Sequence, residues 1–387
     1  MSRSICIVTG SRADFGHLGP VMTAIRDHPD LRLQTIVTGQ HLDSRYGNTW
    51  TEIEDNGFVI CDKVDLALGS DTPLETAAAV GRGVSDLAAS YDRLKPDMVL
   101  VLGDRFEILA AAQSALLLNI PLAHIHGGET TEAAVDDAIR HAITKMARLH
   151  FCATGLYAAR VRQMGEDPER VYTVGAPGLD AMTGINFLSR KKLATDLGID
   201  LSGSFFVVTY HPVTLQLKQV SEAVRALINA LAQFKDAAMV FTGVNSDPGN
   251  QVIRDTIETF VGQSPRFRAV VTSLGQRRYL SAVHEADAVI GNSSSGLIEV
   301  PALGVPTVNI GDRQKGRMRG PSVVDCTDEA NAIAAAIRKT QTQAFRETAA
   351  TAAPPYGRGG ASKKIADILA RTDLRQLSTK PFQDIIQ

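Results

Sequence analysis

Acidic and basic side chains crowd into one stretch of this chain, IPLAHIHGGETTEAAVDDAIRHAITK, which holds His124, His126, Glu129, Asp136 and Asp137. Imidazoles and carboxylates are the groups that move protons near neutral pH, so the crowding points to general acid–base chemistry. LVLGDRFEI adds Asp104 and Arg105 directly after another apolar run. In a helix starting near Ala133, Asp136 shares a face with Arg140 and Asp137 with His141, so intrahelical ion pairs are the plainer use of the same residues. TYHPVT sets His211 after five apolar or β-branched residues, a place suited to phosphate contact, proton transfer or a loop hydrogen bond.

A second set of motifs suits an anion. TGSRADFGHLGP is a Gly-containing turn before a helix, where free backbone N–H groups and the positive helix end receive phosphate. Arg12 adds charge there, unless it is a surface residue paired with a carboxylate such as Asp14. In GNSSSGLIEVPALG a strand opens into Ser293, Ser294, Ser295 and Gly296, with a helix expected from about Leu297. Serines beside helix N-terminal amides make an anion nest, although N-capping alone accounts for one of them. NIGDRQKGRMRG then supplies Arg313, Lys315, Arg317 and Arg319, the charge a diphosphate requires.

The elements that must position these residues follow one grammar. SICIVTG, LQTIVTG, DMVLVLG, IPLAHIHGG and LHFCATG read as strands ending in Gly, Thr or His, with helices between them. The pattern restarts after residue 200 with FFVVTYHP, AAMVFTGVN, RAVVTSLG, DAVIGNSSSG and VPTVNIG. The fold class is therefore α/β, with two doubly wound Rossmann-like domains whose ligand sites lie beyond the strands' carboxyl ends. We place the first domain at 1–176 and the second at 177–360, with a final helix at about 361–372 crossing back to the first. A length of 387 residues with 44% apolar residues suits two cores.

Bulk charge excludes some partners. Forty basic against 42 acidic residues leave a net of −2, which gives no overall attraction to nucleic acid or an anionic membrane. Four cysteines without a CxxC pair signal neither a zinc site nor a disulfide framework, and no dedicated divalent-metal ligand set emerges. No export signal or membrane span is legible, so a cytoplasmic location is expected.

Together, TGSRADFGHL, VLGDRFE, HIHGGETTEAAVDDAIRHAITKMARLHF, VGAPGLD, YHPVT, TGVNSDPG, IGNSSSGLIEVPALG and VNIGDRQKGRMRG resemble the hydrolysing UDP-N-acetylglucosamine 2-epimerases of sialic-acid and related nonulosonate pathways, over about Ile5 to Ala370. The resemblance implies GT-B architecture, with the active site in the interdomain cleft, and no cofactor. It also implies the reaction: elimination of the nucleoside diphosphate across C1 and C2 to a glycal, then hydration with inversion at C2. Carried over, Asp104, Glu129, Asp136, His126 and His211 fall at catalytic positions. Arg12, Asn245, Ser293, Ser294, Gly296, Glu299 and Arg313 match nucleotide or diphosphate positions, and Arg105 and Asp137 lie beside the sugar. Many relatives read HIEGGE where this chain reads HIHGGE; either His126 takes over proton transfer or Glu129 supplies the carboxylate. A UDP- or GDP-linked 2,4-diacetamido-2,4,6-trideoxy sugar is then an alternative substrate. The resemblance further implies a homodimer or homotetramer. A non-hydrolysing epimerase, a GT-B glycosyltransferase and a catalytically silent nucleotide-sugar sensor are the competing readings. GSRAD and HIHGG, in place of GTRPE and HVEAG, favour hydrolysis.

Overall fold

Runs such as Met98–Leu102 and Phe205–Thr209 are buried throughout, which a strand achieves when both faces of a parallel sheet are covered by helices. The computed structural model describes residues 2–69, 72–130, 135–211, 220–242, 250–271 and 274–384. Within it, β1 (Arg3–Thr9), β2 (Leu31–Thr38), β3 (Asp62–Val64), β4 (Met98–Leu102), β5 (Leu122–Ile125), β6 (Leu149–Cys152) and β7 (Val171–Thr173) form one sheet, in the order β3-β2-β1-β4-β5-β6-β7. A second sheet takes β8 (Phe205–Thr209), β9 (Ala238–Thr242), β10 (Arg268–Val271), β11 (Ala288–Gly291), β12 (Thr307–Ile310) and β13 (Val323–Cys326), in the order β10-β9-β8-β11-β12-β13. All pairings are parallel. The expected α/β class with two doubly wound, Rossmann-like sheets is what the chain forms.

Strand alternation builds a core on each face. Ile5 and Ile7 of β1 pack with Leu18, Met22 and Ile25 of the helix Arg12–Arg26, whereas Cys6 and Val8 pack with Leu87, Ala110 and Ala111. In the second sheet Phe206 and Val208 meet Val224 and Leu227, while Phe205 and Val207 meet Leu193 and Val283. Each fully buried side chain of this size contributes roughly 1.5–3 kcal/mol.

The chain divides into two units, Met1–Thr183 with Tyr356–Gln387, and Gly184–Pro355. The returning helix Ala361–Arg371 belongs to the first because its buried Ile365 and Leu369 join that core. Its N-terminus is capped from a distance: Asp180, in the VGAPGLD turn, accepts from the amides of Gly360, Ala361 and Ser362. Among the described residues no helix is long and apolar enough to cross a membrane.

Strand order reverses between β1 and β4 in the first sheet and between β8 and β11 in the second. Crevices at such switch points, outside the carboxyl ends, are where open α/β sheets take ligands. Register then fixes what arrives there. Leu102 pairs with Ile125, so the residues after β4 and β5 leave the sheet at one level, and Gly291 pairs with Thr209 in the same way.

Candidate functional site

In the first unit the chain after β4 delivers Asp104, and the helix Val135–Met146 delivers Asp136, Asp137 and Arg140. Arg140 is buried and joins two carboxylates: its guanidinium donates to Asp104 and, at 3.4 Å, to Asp137. The intrahelical pairing of Asp136 with Arg140 expected from sequence gives way to this arrangement, because a carboxylate from another element lies within the cation's reach. The Asp137–His141 pair does form, at 3.5 Å. Asp136 is exposed, and its carboxyl is raised from the usual range by partial desolvation first and by the Asp104 charge second. The helix start expected near Ala133 lies outside the described residues.

After β5, His126 adopts φ +67°, a left-handed conformation that is uncommon for a residue with a Cβ and marks a backbone held by its surroundings. Its Nδ1 lies 2.5 Å from Glu129 Oε1, with both side chains largely buried. An ionised carboxylate only accepts, so Nδ1 carries the hydrogen, and in the neutral ring the Nε2 lone pair is available to take a proton. The structure thus joins the two residues that the HIHGGE departure set as alternatives. The His17 ring stands edge-on to His126, with centroids 6.1 Å apart.

Beneath this level lies a buried acidic cluster that sequence reasoning passed over. Glu107 is fully buried and accepts from Arg105 Nε at 2.5 Å, while its second oxygen has no protein partner. A Cβ on Gly10 would sit 2.4 Å from Glu107 Cγ, so only glycine fits there. Asp14 accepts from the Gly10 amide at 3.3 Å, and its carboxyl is pushed up to about 6 by burial first and Glu107 second. The one available signal was VLGDRFE itself, where Glu107 reads as an ordinary first-turn acid. Arg12 stands apart from the cluster. It is mostly exposed and pairs with Glu52 at 3.2 Å rather than with Asp14.

The second unit builds its crevice around Asn292, another residue not singled out from sequence. Its side chain accepts from the His211 amide and donates to the His211 carbonyl, both at 2.8 Å, locking the β8 and β11 exits together. Its own carbonyl accepts from Arg313 Nη1 at 3.1 Å and from Gln314 Nε2 at 2.9 Å. His211 is buried beside Arg313, and burial first and that charge second hold its imidazole down at about 4. It is therefore neutral at pH 7.

Ser293 caps a short turn, Ser294–Gly296, accepting from the Ser295 amide at 3.4 Å, and Tyr279 donates to Ser295 Oγ at 2.7 Å. The helix expected from about Leu297 is instead this 3-10 turn followed by a single α-turn, Glu299–Ala302, so the full-length helix end foreseen behind the serines is absent. Burial first raises the Glu299 carboxyl, and one of its oxygens lacks a protein partner. Arg319 is committed to Asp325 at 2.7 Å, which leaves Arg313 as the cation turned toward the β11 exit. Asn245 lies outside the described residues.

Comparison with known proteins covers nearly the whole chain. The family model described as UDP-N-acetylglucosamine 2-epimerase matches residues 23–370. The chain is 37% identical over 345 residues to GDP/UDP-N,N'-diacetylbacillosamine 2-epimerase (hydrolyzing) of Campylobacter jejuni, covering 89% of each. It is 38% identical to polysialic acid biosynthesis protein P7 of Escherichia coli, over 99% of this chain and 97% of that one. The crystal structure of UDP-GlcNAc 2-epimerase from Neisseria meningitidis bound to UDP-GlcNAc superposes with a TM-score of 0.81 at 18% identity, over 95% of this chain and all of that one.

Proposed function

The chain belongs to the UDP-N-acetylglucosamine 2-epimerase family, and from that premise we propose that it is a hydrolysing nucleotide-sugar 2-epimerase. The donor is a UDP- or GDP-linked 2-acetamido sugar. The name borne by the Campylobacter jejuni relative favours a 2,4-diacetamido-2,4,6-trideoxy sugar over N-acetylglucosamine. A base takes the hydrogen from C2 as the C1–oxygen bond breaks and the nucleoside diphosphate leaves, giving a glycal. Water then adds at C1 while an acid returns a proton to the other face of C2. One water is consumed, and the products are the free epimerised sugar and the nucleoside diphosphate.

The observation that carries this reading is the pairing at one level of the first sheet. Asp104 with Arg140 and Asp137 leaves β4, and His126 with Glu129 leaves β5. Inversion at C2 needs a proton taken on one face and given on the other, and two separate acid–base groups supply that. Asp104, Asp136, His126 and Glu129 are the catalytic set, with Arg105 and Asp137 on the sugar. In the second unit His211 joins the catalytic set, and its neutral imidazole donates to the departing diphosphate. Arg12, Arg313, Asn245, Ser293, Ser294, Gly296 and Glu299 hold the nucleotide, the leaving group whose charge must be met. We further propose a cytoplasmic homodimer or homotetramer, to be checked by light scattering of the purified chain.

A donor panel tests the reaction. UDP- and GDP-linked N-acetylglucosamine and their 4-acetamido-6-deoxy analogues are offered separately, and free sugar and nucleoside diphosphate are quantified. The proposal expects both products in equal amount from at least one donor. An epimerised nucleotide sugar with no free sugar would assign the non-hydrolysing reaction, and binding without any turnover would assign the sensor.

A further inference from the structure

The helix Val135–Met146 ends without a local stop signal, since Ala147, Arg148 and Leu149 follow it, with neither the glycine nor the asparagine that commonly closes a last turn. The far end of the chain meets its carbonyls instead. Lys380 Nζ donates to the carbonyls of Thr144 at 3.1 Å, Lys145 at 2.7 Å and Ala147 at 2.5 Å. An ammonium there also complements the negative end of the helix. Buried Glu166 holds it in place at 2.7 Å, while accepting from Lys145 Nζ at 2.6 Å and His150 Nε2 at 2.9 Å. Around it the tail is tied down by Arg170, which donates to the carbonyls of Gln376 at 2.7 Å and Thr379 at 3.0 Å.

A hydrogen-bonded path runs on from Thr144 to the site. Thr144 Oγ1 lies 3.2 Å from His124 Nδ1, and His124 Nε2 lies 2.8 Å from the Gly103 carbonyl. That carbonyl only accepts, so Nε2 carries the hydrogen; His124 is buried and neutral, and its Nδ1 accepts from the threonine hydroxyl. Gly103 precedes Asp104, Asp104 binds Arg140, and Arg140 lies one helical turn before Thr144. The ring closes on itself.

We propose that Lys380 is a positioning residue: the C-terminal tail supplies a distant cap to this helix and thereby fixes Arg140 and, through it, the Asp104 carboxylate. The inference rests on the epimerase reading, and its tests separate the two. Lys380→Met keeps the stem and deletes the donors. It is expected to lower kcat about tenfold or more with KM within about twofold, since small misplacements of catalytic groups cost rate rather than binding. Lys380→Arg is expected to recover most of the rate. Amide exchange at residues 144–148 should quicken in Lys380→Met, and Lys380→Gln replaces that variant if it does not fold. Asp97→Ala, which removes the acceptor of the Ser4 amide, serves as a destabilised control expected to keep kcat. Wild-type kcat in Lys380→Met, or an equal loss in the control at matched unfolding midpoint, overturns the proposal. If the wild-type chain turns over no donor, the epimerase reading fails instead. Exchange then decides the cap, and unchanged exchange in Lys380→Met refutes it.

Discussion

His126 and Glu129 form one unit at 2.5 Å, so their contributions to the rate are not independent. His126→Ala and Glu129→Gln are each expected to lower kcat by about 10²–10³-fold, and the double variant by little more than the worse single one. Additive losses in that cycle would separate the two residues. Asp14 gives a prediction in pH. Its carboxyl sits at about 6 when folded against 3.8 as the ordinary value, so the folded state binds this proton more tightly. The stability it contributes is present below about 4 and lost as pH rises through about 6. Asp14→Asn is therefore expected to raise the unfolding midpoint at pH 7.5 and to help less at pH 4.5, the gap bounding the gain at about 3 kcal/mol. A pH-independent change contradicts this. At this scale, residues placed directly after apolar runs, such as Asp104, His126 and His211, were legible as site candidates. Arg140 was misread because helical neighbours at three and four residues compete equally, and Asp104 settles the choice through tertiary structure. Glu107 gave no sign of its burial under Gly10.

Elements were legible where the chain had to bury both faces. DMVLVLG and FFVVTYHP announced β4 and β8 by continuous apolar runs, whereas β3, with only Asp62, Lys63 and Val64, and β7, with Val171, Tyr172 and Thr173, are short outer strands without such a run. GNSSSG was read correctly as a strand exit and wrongly as the start of a long helix. The exit itself is set by Gly291, whose φ is +143° and whose Cβ would meet the Thr209 carbonyl oxygen at 1.8 Å. Gly291→Ala is expected to cost more than about 3 kcal/mol or to prevent folding. Gly103→Ala, at φ +80° but with open space around it, should cost roughly 1–2 kcal/mol. Equal midpoints in urea unfolding of the two variants would contradict the argument from close approach.

At the scale of the molecule, the alternation of strand and helix patterns sufficed to read two doubly wound sheets, because each parallel strand needs a covering helix before the next. Long-range closures had no such pattern: Asp180 caps Ala361–Arg371, and Lys380 caps Val135–Met146. Both are single polar residues in loops, and their partners are chosen only once the chain has folded. The chemistry divides along the same lines, with proton-moving groups at the β4 and β5 exits and anion-binding groups at the β8 and β11 exits. The most direct measurement of that division is the reaction in deuterated water, followed by proton NMR, with the donor the panel selects. The account predicts free sugar of inverted C2 configuration carrying a single deuterium at C2, with nucleoside diphosphate in equal amount. Free sugar with protium retained at C2 would contradict it, because no base had then removed that hydrogen.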